Sequence, residues 1–308
     1  MIASILLALL PPFLMIAFGW ALRRERFLDA AFWPQAERLC YFVLLPSLFL
    51  HGLATAKLDG VPVFGLAATL IVSILVVAAM LVAARPLAPM DGPAFTSLFQ
   101  GAIRFNNYVG VSVAITLFGA QGVALAALCN AAIVPTVNVL CVLVFARFGA
   151  ARMSGRGVLR QLALNPLILS CLIGIALHAL AIPLPPGVEP ALRAFGAASL
   201  PIGLLCVGAA LDFSTARRWM MPVAASSAIK FLLLPLVAAL VARGFGLTGQ
   251  ALTTALLFQA LPTASSAYIL ARQLGGDAPL MAGITATQTV IAFAAMPAMV
   301  ALLLAVFG

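Results

Sequence analysis

Negative charge is what this chain has least of. Eight Asp and Glu residues stand among 308, against 17 Lys and Arg. Charged residues of both signs make up 8% and hydrophobic ones 64%, whereas a soluble domain carries about 25% charged residues. No soluble core absorbs that much apolar surface, so a soluble protein is excluded. Alternating strands of about ten residues are also missing, which excludes a transmembrane barrel. Cys40, Cys129, Cys141, Cys171 and Cys206 fall singly in apolar runs, odd in number and without ligand spacing. They read as small buried hydrophobes, not as a disulfide framework or a metal site. His51 and His178 are equally isolated, and structural roles are expected for them. Glu37, Asp91, Glu189, Asp212 and Asp277 lie near the ends of apolar runs or in loops. The lack of deep carboxylates argues against a proton relay built on paired aspartates. Enzymatic signatures are missing too: no aspartate-rich diphosphate motif, no HExxH and no nucleophile elbow with partners. Neither an enzyme nor a cofactor is indicated.

What remains is an all-α polytopic membrane protein in contact with the lipid bilayer. At roughly 20 apolar residues per crossing, ten segments are predicted, at 2–22, 32–55, 61–84, 94–118, 122–146, 162–181, 187–211, 220–243, 250–271 and 279–306. The first has no basic residue before it and no cleavage site after it, so it reads as a retained helix and not a signal peptide. The net charge of +9 is spread over short loops, which points to topology and not to nucleic acid. One set of loops carries Arg23, Arg24, Arg26, Arg85, Arg147, Arg152, Arg156, Arg160, Arg217, Arg218 and Arg272; the other has little beyond Lys57, Arg193 and Arg243. The positive-inside bias predicts a multi-pass protein of the cell (inner or plasma) membrane with both termini outside the cytoplasm.

The basic loop from Arg147 to Arg160 divides the chain into halves, 1–150 and 151–308, of five predicted helices each. An odd number per half inverts the second half in the membrane. Echoes at an offset of about 160 residues support the repeat: Arg38 before Leu45-Pro46 and Arg193 before Leu200-Pro201, Phe99-Gln100 and Phe258-Gln259, Asn130 and Gln288. Pro46 and Pro201 are expected to kink the second and seventh helices.

Polar residues interrupt two of the apolar runs. Phe99 to Tyr108 carries Gln100, Arg104, Asn106 and Asn107; Phe258 to Tyr268 carries Gln259, Pro262, Thr263, Ser265 and Ser266. Such groups must face protein, water or ligand, so the two runs are predicted to be broken helices around one site. Pro262 lacks an N–H and clashes with the carbonyl four residues back. Its polar neighbours and the matching stretch in the other half raise this above an ordinary kink. In the first half, Asn106 and Asn107 tolerate unusual backbone angles and bond locally. Arg104 lies about ten residues, roughly 15 Å of helix, from either end of its run. A central arginine costs about 2.5–3.5 kcal/mol on insertion scales. Either frayed backbone carbonyls or an anionic substrate would partner it, and half-helix N-termini favour the anion. Asn130 and Gln288 are candidate site residues by symmetric position. Lys230 is also mid-segment, either snorkelling or bonding helix carbonyls, or acting as a fixed cation where other transporters hold sodium. Gln100 is a second candidate for an ion or charge role.

The stretches YFVLLPSLFLHGLA (41–54), RFNNYVGVSVAITLFG (104–119) and LPTASSAYILARQLGGD (261–277) resemble the bacterial branch of the auxin efflux carrier family. The resemblance runs over essentially the whole chain and implies ten helices in two inverted repeats, with the fourth and ninth unwound and crossing at midplane. It further implies a scaffold and a transport domain, each built from both repeats, an elevator-like mechanism, and a small organic anion or carboxylate as substrate. Bile acid/sodium symporters are fold relatives, and such relatives often form homodimers. The family's crossover asparagine and proline fall on Asn106, Asn107 and Pro262. The first-half proline is missing, since Val111-Ser112-Val113 stands in its place.

Three functions compete. The first is a secondary transporter of a small organic anion, coupled to protons, sodium or membrane potential alone. The second is a sodium-coupled symporter of the bile acid type, with Asn130, Gln288, Gln259 and Thr263 as oxygen donors. The third is a sensor on the same scaffold that binds ligand and moves nothing.

Overall fold

The computed structural model describes residues 2–56, 60–150, 163–212, 219–264 and 266–308. Lys57, Arg152, Arg156, Arg160, Arg217, Arg218 and Ser265 lie outside the described residues. Within them every regular element is a helix. We number these α1 (Ile2–Arg24), α2 (Phe32–Leu39), α3 (Leu45–Ala54), α4 (Val63–Ala84), α5 (Gly92–Ile103), α6 (Asn107–Phe118) and α7 (Ala120–Phe148). They continue as α8 (Pro166–Ala179), α9 (Val188–Ala209), α10 (Met220–Ala228), α11 (Leu234–Gly244), α12 (Gly249–Gln259), α13 (Ser266–Leu274) and α14 (Ala278–Phe307).

Among the described residues seven helical stretches are long and apolar enough to cross a membrane, and α8 is a shorter apolar helix. The protein is therefore a multi-pass membrane protein. Two of the seven, Phe32–Ala54 and Met220–Gly244, contain a widened π turn, at Cys40–Leu44 and Ile229–Leu233. Proline explains both. Pro46 and Pro235 open α3 and α11 as second residues. Their rings would strike the carbonyls of Phe42 and Phe231, four residues back, and one extra residue per turn relieves the clash. Pro201, by contrast, lies inside an uninterrupted α9.

Carboxylates at helix starts act as caps. Asp91 accepts from Ala94 N at 2.8 Å and Asp277 from Leu280 N at 2.8 Å. Asp277 N also donates to Pro93 O, and Ala150 N to Gly275 O. These contacts gather the starts of α5 and α14 and the end of α7 at one end of the molecule. Arg85 is there too, bonded to Ala88 O and Met90 O and lying over the Phe95 and Phe148 rings. Two of the basic loops thus meet at one end.

The helices pack in two groups. In one, α1 packs against α9, and α3 against α8 and α9. A β-carbon on Gly19 would collide with the Leu205 backbone, and one on Gly208 with Ile16 O. Backbone contact of this kind is how small residues join helices in a membrane. The other group brings α4, α5, α7 and α10 to α14 together, and α6 packs against α7 and α1. Gly119 turns the chain between α6 and α7 at φ +59°, a conformation open to glycine.

Candidate functional site

Two helices are interrupted inside the second group. The first stops at Ile103 and restarts at Asn107, and Arg104 is extended, with φ −72° and ψ 161°. No proline is needed here. Asn106 caps α6 itself, its Oδ1 accepting from Tyr108 N at 3.0 Å and Val109 N at 3.2 Å, so two orphan amides of the new helix are satisfied. The second interruption, between Gln259 and Ser266, falls at Pro262. The breaks meet: Asn106 N donates to Pro262 O at 2.8 Å. The side chain of Asn106 thus starts one half-helix while its backbone joins the other break.

Gln288, on the continuous α14, fastens both. Its Oε1 accepts from Thr263 N at 3.0 Å, and its Nε2 donates to Gly101 O at 3.1 Å and Ser226 Oγ at 3.3 Å. Gln100 reaches across in parallel, donating to Ala267 O at 3.1 Å. Gln259 turns away and donates to Leu70 O and Ser73 Oγ. Asn130 donates to Ala126 O in its own helix, at 2.8 Å. Gln288, Gln259, Gln100 and Asn130 are all buried, and none of them lines the cavity described next. Pro262 and Thr263 are likewise behind its wall.

That cavity, of about 860 Å³, opens between the two helix groups. On one side stand α2 and its π turn, with the start of α8; on the other stand Arg104 to Tyr108, α7 and the start of α13. The first residues of α6, α8 and α13 (Asn107, Pro166 and Ser266) all line it. Asn106 and Asn165 already cap the first two of these helices, so what the starts contribute is their partial positive ends, which favour an anion there. Arg104 adds a full charge. Its guanidinium donates to Asn138 Oδ1 at 3.0 Å and reaches Ser266 Oγ at 3.4 Å, while Nε has no partner among the described residues. The expected partners of Arg104 were backbone carbonyls or an anion; two neutral side chains hold it, leaving its charge uncompensated by any carboxylate in the contacts described. Asn106 Nδ2 is a second buried donor on this wall without a partner among the described residues.

Of the predicted residues, Arg104, Asn106, Asn107 and Ser266 come together at the cavity. Asn138, Tyr41 and Asn165, which are not among the predicted site residues, line the cavity as well. Asn138 follows Arg104 by 34 positions, and no local pattern pairs them. Lys230 departs from the membrane-surface reading. It is 0% exposed on the π turn after α10, and its Nζ meets no hydrogen-bond acceptor among the described residues. It neither snorkels nor bonds a helix carbonyl.

Fold and cavity define a polytopic helical membrane protein with a cationic, half-enclosed chamber between two helix groups. Residues 150–300 match the family model described as membrane transport protein. Comparison with curated proteins gives no match.

Proposed function

We propose that the protein is a secondary transporter that moves a small organic anion, a carboxylate, across the cell membrane. The observation that carries this reading is Arg104, held by neutral partners on the wall of a chamber into which three helix N-termini open. The anion supplies the missing negative charge, with Asn106, Asn107 and Ser266 as hydrogen-bonding neighbours and Ser265 placed by sequence beside them. The match of the second half to a membrane transport family and the resemblance to auxin efflux carriers support transport over sensing. On this reading the chain crosses the membrane ten times in two inverted five-helix halves, 1–150 and 151–308, with both termini outside the cytoplasm. The group holding α1, α3, α8 and α9 is the scaffold, and the group holding the paired breaks moves against it as an elevator. A chamber between the groups suits that division, because sliding one past the other exposes Arg104 to either side.

The test is ligand-induced thermal stabilisation of the purified protein by malonate, malate, lactate, indole-3-acetate and a bile acid, with and without sodium. At least one acid is expected to stabilise the wild type and to lose most of that effect in Arg104→Gln. Stabilisation that needs sodium would favour the bile-acid type of symporter, and stabilisation unchanged in R104Q would remove Arg104 from the site.

A further inference from the structure

The wall facing Arg104 carries a hydrogen-bond donor that the anion reading does not use. Tyr41 sits on the π turn Cys40–Leu44 and lines the cavity. A turn widened by Pro46 offsets the side chains that follow from the register of α2, and such turns recur at functional sites. The Tyr41 hydroxyl accepts a hydrogen bond from Asn165 Nδ2 at 3.1 Å. The amide orientation of Asn165 is fixed independently, because its Oδ1 caps α8 through Leu167 N at 3.0 Å and Ile168 N at 3.3 Å. Nitrogen must therefore face the phenol, and a phenol oxygen that accepts one bond still has its own proton to donate. Among the described residues no hydrogen bond takes that proton. Glu37 and Arg38 line the same wall with opposite charges, so its local charge is mixed and the cation stands opposite, on Arg104.

We propose that Tyr41 is a substrate-contacting, specificity-determining residue, with Asn165 as its positioning residue: the phenol donates to a second oxygen of the anion while Arg104 holds the carboxylate. The inference rests on the anion reading above and adds a class to it, acids that carry a hydroxyl or carbonyl oxygen away from the carboxylate. A bare alkyl acid leaves the phenol proton unpaired in a partly desolvated chamber, and a site built around a donor discriminates against a ligand that lacks the acceptor.

The experiment measures binding to the full-length purified protein of two matched pairs, propionate against lactate and butyrate against 4-hydroxybutyrate. In the wild type the oxygenated member of at least one pair binds more tightly, by about five- to tenfold. In Tyr41→Phe the preference falls to within about twofold while the alkyl acid binds as before. Asn165→Asp gives a readout that a packing role would not move. Its carboxylate still caps α8 but accepts the phenol proton, withdrawing it from the chamber, so the preference disappears with the tyrosine ring in place. The added charge weakens all acids alike, and the ratio within a pair removes that effect. A preference retained in Y41F, or no preference in the wild type, overturns the role of Tyr41 and leaves Arg104 standing. Failure of every acid to bind the wild type overturns the anion reading and the inference with it.

Discussion

At the scale of single residues, partners and their absence decide function. Arg104→Gln keeps a side chain able to bond Asn138 and removes the charge. A charge-assisted hydrogen bond contributes about 2 kcal/mol, so anion affinity should fall roughly thirty-fold with the melting temperature little changed. Asn106 separates two duties. Asn106→Ala loses the cap of α6 and should cost about 1 kcal/mol of stability. Asn106→Asp keeps the cap but exchanges the unpartnered Nδ2 donor for a carboxylate, so its stability should hold while anion binding fails. Thermal melts and binding isotherms on the two variants check both. Lys230 offers the opposite contrast. Its amine is buried without an acceptor among the described residues, and methionine of similar length fills the same space without that burden. Lys230→Met should melt at or above the wild-type temperature; a loss of about 3 kcal/mol or more would mean that the ammonium has a partner.

At the scale of elements, the two interruptions are fastened by one amide. Gln288→Leu leaves Thr263 N–H without its acceptor and deprives Gly101 O and Ser226 of a donor. Each buried group left unpaired costs about 1–3 kcal/mol, so the variant should lose at least about 2 kcal/mol in denaturant unfolding. A loss under about 0.5 kcal/mol, the size of an ordinary surface change, would mean that the breaks are held elsewhere. Much of this was legible in the sequence. Polar residues amid apolar runs marked both interruptions, and Pro262 named the second. The first needed no proline, because an asparagine at an N-cap stops and restarts a helix equally well, and that equivalence shows only once the cap is seen. Symmetric position suggested Asn130 and Gln288 for the site, but position along a chain does not say which face a side chain takes. Gln288 faces the backbone of the breaks and Asn130 its own helix. The π turns were hidden for a similar reason: a proline predicts a disturbance four residues back, not whether the helix kinks, as expected at Pro46, or widens, as it does.

At the scale of the whole molecule, low charge and long apolar runs sufficed to read a helical membrane protein, since no other fold buries such a composition. The chamber was not legible, because it lies between groups of helices distant in sequence, and the Tyr41–Asn165 contact spans 124 positions. On the proposed reading, its location between two packed groups is what would turn an anion site into a transport site. The most direct test is uptake of the labelled acid that best stabilises the protein into proteoliposomes of the wild type and R104Q, under imposed membrane potentials, with and without sodium and a pH gradient. The account predicts saturable accumulation by the wild type and almost none by R104Q. An acid that binds at Arg104 yet never enters the vesicles would contradict it and make the protein a sensor.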